Sequence, residues 1–330
     1  MKNKESFPAL IIAWCRAYHA EHDCPKIFDD YLAGSLLTEE ERANFEKMIF
    51  RTMKVTYCIG SGKTVFSILR FLYPQHLRRT FEAMAPRDWD QVSSPASAVH
   101  CYMHATGGLA LAVSRARYTE DCLLEAVGEG VGQYVILGAG MDTFAFRCPE
   151  LLEKLQVYEV DHPVTQAVKR QRLTDLGWNI PQELHFVPVD LTRQRLDEAL
   201  KNSPYDSKSL GFFNWLGVTY YLPRKTVFDT LQTVAAIAPK GSTIIFDYLD
   251  PDAYDHAKVA PRGQWLLLSL VGAKARSGFD PSTLSQDLAM LGLRLKDNLS
   301  PSDIESRYFQ GHPCNYHAQE HVHFACAVVE

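Results

Sequence analysis

The chain has 330 residues, of which 46% are hydrophobic and 22% charged, and its formal net charge is -5. That is ample apolar material for a sizeable core, in one large domain or two. The acidic balance, with no long basic run, excludes the electrostatic footprint of a nucleic-acid binder and leaves small molecules or proteins as partners.

Cys15, Cys24, Cys58, Cys101, Cys122, Cys148, Cys314 and Cys326 form no CxxC pair, and no secretory apolar segment precedes them. Free thiols in a reduced, cytoplasmic setting are therefore expected. The apolar run Ala9 to Ala13 is too short to span a bilayer, and no other stretch reaches the required length.

Residues 1 to about 118 show no strand rhythm and read as helices broken at Pro25, Pro74, Pro86 and Pro95. Within them, Thr38 followed by Glu41 predicts a capping box for a helix through Glu46 and Ile49. Gly60-Ser61-Gly62-Lys63-Thr64 has the ending of a P-loop, but Tyr57 stands where that motif needs its first glycine and no apolar strand leads in. It is read as a decoy. Leu109 to Val127 is helical and carries Arg115 and Arg117; such residues are usually solvated, yet one of them can pair bidentately with a ligand carboxylate.

The chain is organised around Gln133 to Arg147, QYVILGAGMDTFAFR. A short apolar run, Tyr134 to Leu137, breaks at Gly138-Ala139-Gly140 and gives way to residues able to open a helix, which is a strand meeting a glycine turn. Glycines there let backbone N–H groups approach a ligand that a Cβ would push away, although a GxG also occurs in ordinary tight turns. A dinucleotide fingerprint would place a third glycine at Thr143, so that phosphate-binding pattern fits poorly. The next strand, Leu155 to Asp161, ends in acids, and Glu159 and Asp161 share a strand face. An acid about 20 residues beyond the glycine turn is placed to accept from both ribose hydroxyls of a nucleoside; the alternative is a solvated strand end.

A helix from Pro163 to Leu176 closes at Gly177, and a third strand, Leu184 to Val189, ends at Asp190-Leu191. Asp190 can accept from an exocyclic amine such as that of adenine, or it can cap a helix over Arg193 to Leu200. A fourth strand runs from Leu210 to Gly217, then a helix from Pro223 through Ala238, and a fifth strand from Ser242 to Leu249. Pro251 to Pro281 departs from the short-loop rhythm, has an apolar helix at Trp265 to Val271, and suits a lid or substrate wall. Leu284 to Leu291 is helical, Leu293 to Leu295 begins a strand, and Val322 to Val329 is a closing one. The alternation of elements predicts an α/β fold with a mostly parallel sheet covered on both faces.

Five separated pieces resemble one family. They are Ser114-Arg115-Ala116-Arg117-Tyr118, LGAGMDTFAFR at 137–147, YEVDHP at 158–163, VPVDL at 187–191 and FFNWLGVTYYL at 212–222. In this order they are similar to the class I S-adenosylmethionine-dependent methyltransferases, within them the leucine carboxyl methyltransferase-like branch. AYHAEHDCPKIFDDYLA at 17–33 looks like that branch's helical cap. The resemblance covers most of the chain. It implies a Rossmann-like class I methyltransferase fold with an antiparallel last strand, a helical cap over residues 1–110, and a cofactor-binding core over 111–330 with a lid insertion near 251–283. It also implies S-adenosyl-L-methionine as cofactor. Arg115 would pair with its methionine carboxylate, Gly138 and Gly140 would pass beneath its methionyl part, Asp161 would hold the ribose, and Asp190 and Leu191 would meet the adenine. The branch's protein-carboxyl methyltransferases carry a glutamate just before the glycine of the fourth-strand motif, whereas Leu216 precedes Gly217 here. That departure favours the bacterial members that resemble polyketide O-methyltransferases.

The expected activity is O-methylation of a hydroxyl or carboxyl on a small metabolite. The alternatives are methylation of a protein C-terminal carboxyl, or cofactor binding without transfer. A carboxylate acceptor is already ionised and needs no base, whereas a hydroxyl needs one. His100, His104, Tyr220, Tyr248, Tyr316, His321 and His323 are base candidates, and none stands out. Asn214-Trp215-Leu216-Gly217 lacks the prolines of nucleic-acid amino-methyltransferases, and no His/Cys cluster has zinc spacing. Neither nucleic acid, membrane nor metal is expected to take part.

Overall fold

The computed structural model describes residues 7–57, 94, 96–97, 99–100, 103, 107–254, 277–314 and 316–330. Seven strands form one sheet: β1 Gln133–Leu137, β2 Gln156–Asp161, β3 Leu184–Pro188, β4 Gly211–Trp215, β5 Thr243–Leu249, β6 Leu293–Leu299 and β7 Val322–Val329. Their order is β3-β2-β1-β4-β5-β7-β6. The first five pair in parallel, and β7 runs antiparallel to both β5 and β6. The reversed strand is β7, as the resemblance implies.

β1 and β5 are buried along their whole length, which is why QYVIL and TIIFDYL read as near-continuous apolar runs rather than alternating ones. Alternation decides which side chain meets which layer. Tyr134, Ile136, Phe212 and Phe324 point to one core, and Val135, Leu137, Phe213 and Trp215 to another. The second core is closed by the helices Arg224–Ile237 and Leu284–Ala289 through Val227, Leu231, Leu284 and Leu288.

The first core is closed by α1 Phe7–His22, α2 Glu39–Tyr57 and α3 Gly107–Gly128. Leu10, Trp14 and Phe45 belong to the same apolar cluster as Leu109, Val113 and Tyr134, so the N-terminal helices are continuous with the sheet's own core. α3 runs unbroken through 110 and 111, where the sequence divides cap from core. The capping box of α2 forms: Glu41 N donates to Thr38 Oγ1 at 3.2 Å, and Thr38 N donates to Glu41 Oε2 at 2.9 Å. That same carboxylate takes Arg172 of α5 (Pro163–Asp175, after the short α4, Phe144–Arg147) at 2.6 Å and 3.0 Å, which ties α2 to the α/β layer.

Two element boundaries differ from expectation by more than two residues. The helix after β3 starts at Leu196 rather than Arg193, because the Asp190 carboxylate accepts from Thr192 N and holds 191–194 in a turn. β6 continues to Leu299 because it pairs with β7 along its length, a contact no local pattern announces. Gly60 to Thr64, Pro74, Pro86, Pro95 and Trp265 to Val271 lie outside the described residues. Among the described residues no helix is long and apolar enough to cross a membrane.

The strand order turns back on itself between β1 and β4. At such a switch point the connections leave in opposite directions and open a crevice at the carboxyl ends of the two strands. A cavity of about 620 Å³ lies there.

Candidate functional site

Gly138 and Gly140 line this cavity with φ of 77° and 54°, in the left-handed region that side chains with a Cβ rarely adopt. The turn is stitched to β2, since Gly138 N donates to Val160 O at 2.7 Å. The sequence suggests that the glycines keep space clear for a ligand. In the structure that space is filled from within: a Cβ on Gly138 would lie 2.4 Å from Val218 Cγ2, and one on Gly140 would lie 2.9 Å from Ala9 Cβ of α1. Both glycines are required by the turn and by the packing of Val218 and α1 on it. Gly138→Ala is thus expected to cost about 1–2 kcal/mol from the left-handed backbone alone, with the clash in addition. Urea denaturation measures the sum; Val218→Ala in the same chain should return only the clash.

Asp161 lines the cavity at the end of β2. Its Oδ2 accepts from Gly140 N at 2.5 Å and its Oδ1 from His162 N at 2.6 Å. Burial raises its pKa above the ordinary carboxylate value, against those two backbone donors. It therefore buttresses the glycine turn as well as facing the cavity. Glu159, on the same strand face, is not among the residues lining the cavity; its Oε2 takes Lys169 Nζ of α5 at 2.6 Å in a fully buried ion pair.

Arg115 reaches the cavity from α3 and is 4% exposed. Its Nη1 donates to Asp247 Oδ2 at 2.7 Å and to the Tyr220 hydroxyl at 3.3 Å. Burial opposes its charge, but Asp247 and Tyr220 together outweigh that and raise its pKa, so the guanidinium stays ionised. Asp247 Oδ1 also accepts from Gly217 N at 2.7 Å, and Gly217, with φ of 72°, leaves room for the guanidinium: a Cβ there would lie 2.8 Å from Nη2. Arg117 is solvent-exposed and pairs with Asp121 at 2.9 Å, so the two sequence candidates separate cleanly.

Asp190 and Leu191 are not among the lining residues. The Asp190 carboxylate takes Thr192 N and Oγ1 at 2.9 and 2.6 Å and lies 3.9 Å from Nε2 of His162, which does line the cavity. Of the base candidates, Tyr220 is on the cavity wall, but burial followed by the Asp247 charge lifts its pKa well above the ordinary phenol value and keeps it protonated. His100 meets the Tyr18 hydroxyl, Tyr248 donates to Asn298, Tyr316 donates to Asp23, and His321 and His323 share Asp250. His104 lies outside the described residues.

The sequence passes over a polar cluster on the same wall. Arg16 pairs with Asp30 at 2.7 Å, Thr143 Oγ1 donates to Asp30 at 2.6 Å, Arg147 pairs with Glu120, and Asn214 Nδ2 donates to the Tyr134 hydroxyl at 2.8 Å. All of these residues line the cavity. Thr119 Oγ1, Arg147 Nε and Asn214 Oδ1 are buried there without a hydrogen bond among the described residues. A buried polar atom left unpaired costs about 1–3 kcal/mol, so this wall suits a ligand rich in hydrogen-bonding groups. A signal was present, since Arg147 ends LGAGMDTFAFR and Asp30 sits in IFDDYLA, but both partners come from distant segments.

The model of the leucine carboxyl methyltransferase family matches residues 9–235. YktD of Bacillus subtilis (strain 168), whose name describes an S-adenosyl-L-methionine-dependent methyltransferase, is 33% identical over 334 residues, covering 99% of this chain and 99% of that protein. A protein of Mycolicibacterium gilvum (strain PYR-GCK), similarly named, is 36% identical over 135 residues, covering 41% of this chain and 43% of its own length. Matched along most of its length by the family and end to end by a relative, the chain belongs to the leucine carboxyl methyltransferase family of S-adenosyl-L-methionine-dependent methyltransferases.

Proposed function

We propose that this enzyme methylates an oxygen, hydroxyl or carboxyl, of a small metabolite. The observation that carries this reading is Leu216 on the cavity wall, where the family's protein-carboxyl methyltransferases have a glutamate: the acceptor meets an apolar side chain instead of a charge. The apolar wall that Pro8, Ala9 and Ile12 of α1 give the cavity also favours a small acceptor over a charged protein terminus.

The residues present fit the cofactor. Arg115 offers a charged guanidinium to the methionine carboxylate, Asp161 keeps lone pairs for ribose hydroxyls beyond the two backbone donors, and the unpartnered Thr119, Arg147 and Asn214 atoms offer both donors and acceptors. Asp190 and Leu191 would meet the adenine past His162. When bound, the cofactor supplies an activated methyl on a positive sulfur; the protein's part is to hold the acceptor oxygen in line with it and to exclude water. For a hydroxyl acceptor, Glu120 and Asp161 are both acids on the wall whose carboxyls burial holds above the ordinary pKa; with Asp161 given to the ribose, Glu120, whose rise Arg147 opposes, is left as the base.

Incubation with methyl-labelled cofactor and a metabolite extract should label a small product; label found only as base-labile esters on protein termini would instead identify the protein-carboxyl reaction. Binding without any turnover would mark a cofactor-binding protein. Asp161→Ala should weaken cofactor binding by about 1–3 kcal/mol, read by calorimetry, because ribose hydroxyls and Gly140 N lose their acceptor. Unchanged affinity would remove Asp161 from the site.

A further inference from the structure

The glycine turn is held from two sides. From below, Asp161 of β2 takes Gly140 N. From above, the supports come from a segment more than a hundred residues away: Arg16 Nη2 donates to Met141 O at 2.7 Å, and Thr143 Oγ1 donates to Asp30 Oδ1 at 2.6 Å. Arg16 and Asp30 are themselves joined, Nε to Oδ2, at 2.7 Å, so the two contacts form one closed loop from α1 through residues 141–143 and back.

Asp30 is 1% exposed and its Oδ1 also accepts from Ala33 N at 3.0 Å, which anchors it to the short helical turn Ala33–Leu36. Arg147 Nε lies 3.9 Å away as a second cation. The carboxylate is therefore saturated by donors whose positions are set by packed backbone, and its pKa is held below the ordinary value by Arg16, Thr143 and Arg147 in spite of its burial. Ala9, two helical turns before Arg16, packs on Gly140 itself. A turn with two left-handed glycines has many alternative conformations when unsupported. Asp142 N closes it locally on Ala139 O at 2.9 Å, Gly138 N and Ala139 N donate to Val160 O of β2, and the side chains that tie it to the rest of the molecule are Asp161 and this clamp.

We propose that Arg16 and Asp30 are positioning residues for the cofactor: they fix the backbone of residues 141–143 and so preset the glycine turn, from the N-terminal helical segment, before the cofactor arrives. The inference rests on the cofactor lying over that turn. Because the loop is pre-ordered, binding does not have to order it. Neither side chain needs to touch the ligand for this; each acts through Met141 and Thr143.

The test is a double-mutant cycle read in cofactor affinity and release rate, with S-adenosyl-L-homocysteine, the demethylated product, as the calorimetric and stopped-flow probe. Arg16→Met and Asp30→Asn should each weaken binding about tenfold, and the double variant should be no weaker than either alone, because one broken link opens the whole clamp. Arg16→Lys, which restores a cation but not the fork that spans Asp30 and Met141, should rescue only part. A fall in melting temperature with unchanged probe affinity would show a merely structural tie and overturn the proposal, as would two losses that add, which would mean separate contacts. Asp161→Ala measured alongside separates the failures: if Asp161→Ala weakens binding and the clamp variants do not, the clamp is wrong and the site stands; if none does, the site itself is misplaced.

Discussion

Asp247→Ala is expected to lower folding stability by about 3–5 kcal/mol, because it strands a buried guanidinium without its counter-charge. Asp247 is fully buried on β5, Arg115 is 4% exposed on α3, and they meet at 2.7 Å. The same carboxylate also accepts from Gly217 N, so its loss frees the backbone where β4 leaves the sheet. Guanidinium chloride denaturation measures the loss. Asp247→Leu combined with Arg115→Met should recover most of it, since removing both charges leaves neither unpaired. A loss below about 1 kcal/mol, the scale of exposed pairs, would mean that Arg115 is balanced elsewhere. Cofactor affinity of the double variant then reports what Arg115 contributes to binding, separately from what Asp247 contributes to folding.

The second large effect is expected at Lys169→Met, also about 3–5 kcal/mol. Lys169 and Glu159 pair at 2.6 Å with side chains 1% and 2% exposed, and Glu159 Oε1 makes no hydrogen bond among the described residues. Burial pushes the Glu159 carboxyl up to about 7, with Lys169 working against that rise. Without the lysine the folded value goes higher still. A carboxyl whose folded pKa exceeds its unfolded value of 4.5 binds protons more readily in the native state. Its contribution is complete below the unfolded value and is lost as the pH climbs through the folded one. The penalty of Lys169→Met should therefore be greater at about pH 8 than at about pH 5, where the stranded carboxyl takes up a proton. A penalty independent of pH would show that removing Lys169 leaves the folded pKa of Glu159 unchanged, so that the two charges do not interact. Glu159→Gln in the same chain should flatten the dependence.

These two pairs illustrate where local sequence stops being informative. Glu159 and Asp161 look alike in LQVYEVD, both acids on one face of one strand. Only the position of α5 makes Glu159 a buried counter-ion, while Asp161, one residue pair nearer the strand end, reaches the crevice. Arg115 and Arg117 are likewise neighbours on α3, separated by which face of the helix meets β5 and which meets water. Among the histidines and tyrosines named as bases, residue type carried no information about location. Tyr220 lies on the wall, and the other described ones are engaged with partners elsewhere.

By itself the sequence determined the strands, most of their boundaries, the parallel α/β class, the glycine turn and the acid that ends β2. These are written in apolar runs, glycines and caps within a few residues of one another, and such patterns act through local backbone geometry. Tertiary structure decided the rest: that β6 pairs with β7 out to Leu299, that Val218 and Ala9 are what the glycines make room for, that Asp247 balances Arg115, and that Arg16 and Asp30 clamp residues 141–143. Each of those joins groups between about 30 and 130 residues apart, and a charge or a methyl gains its meaning only from the partner that packing brings against it.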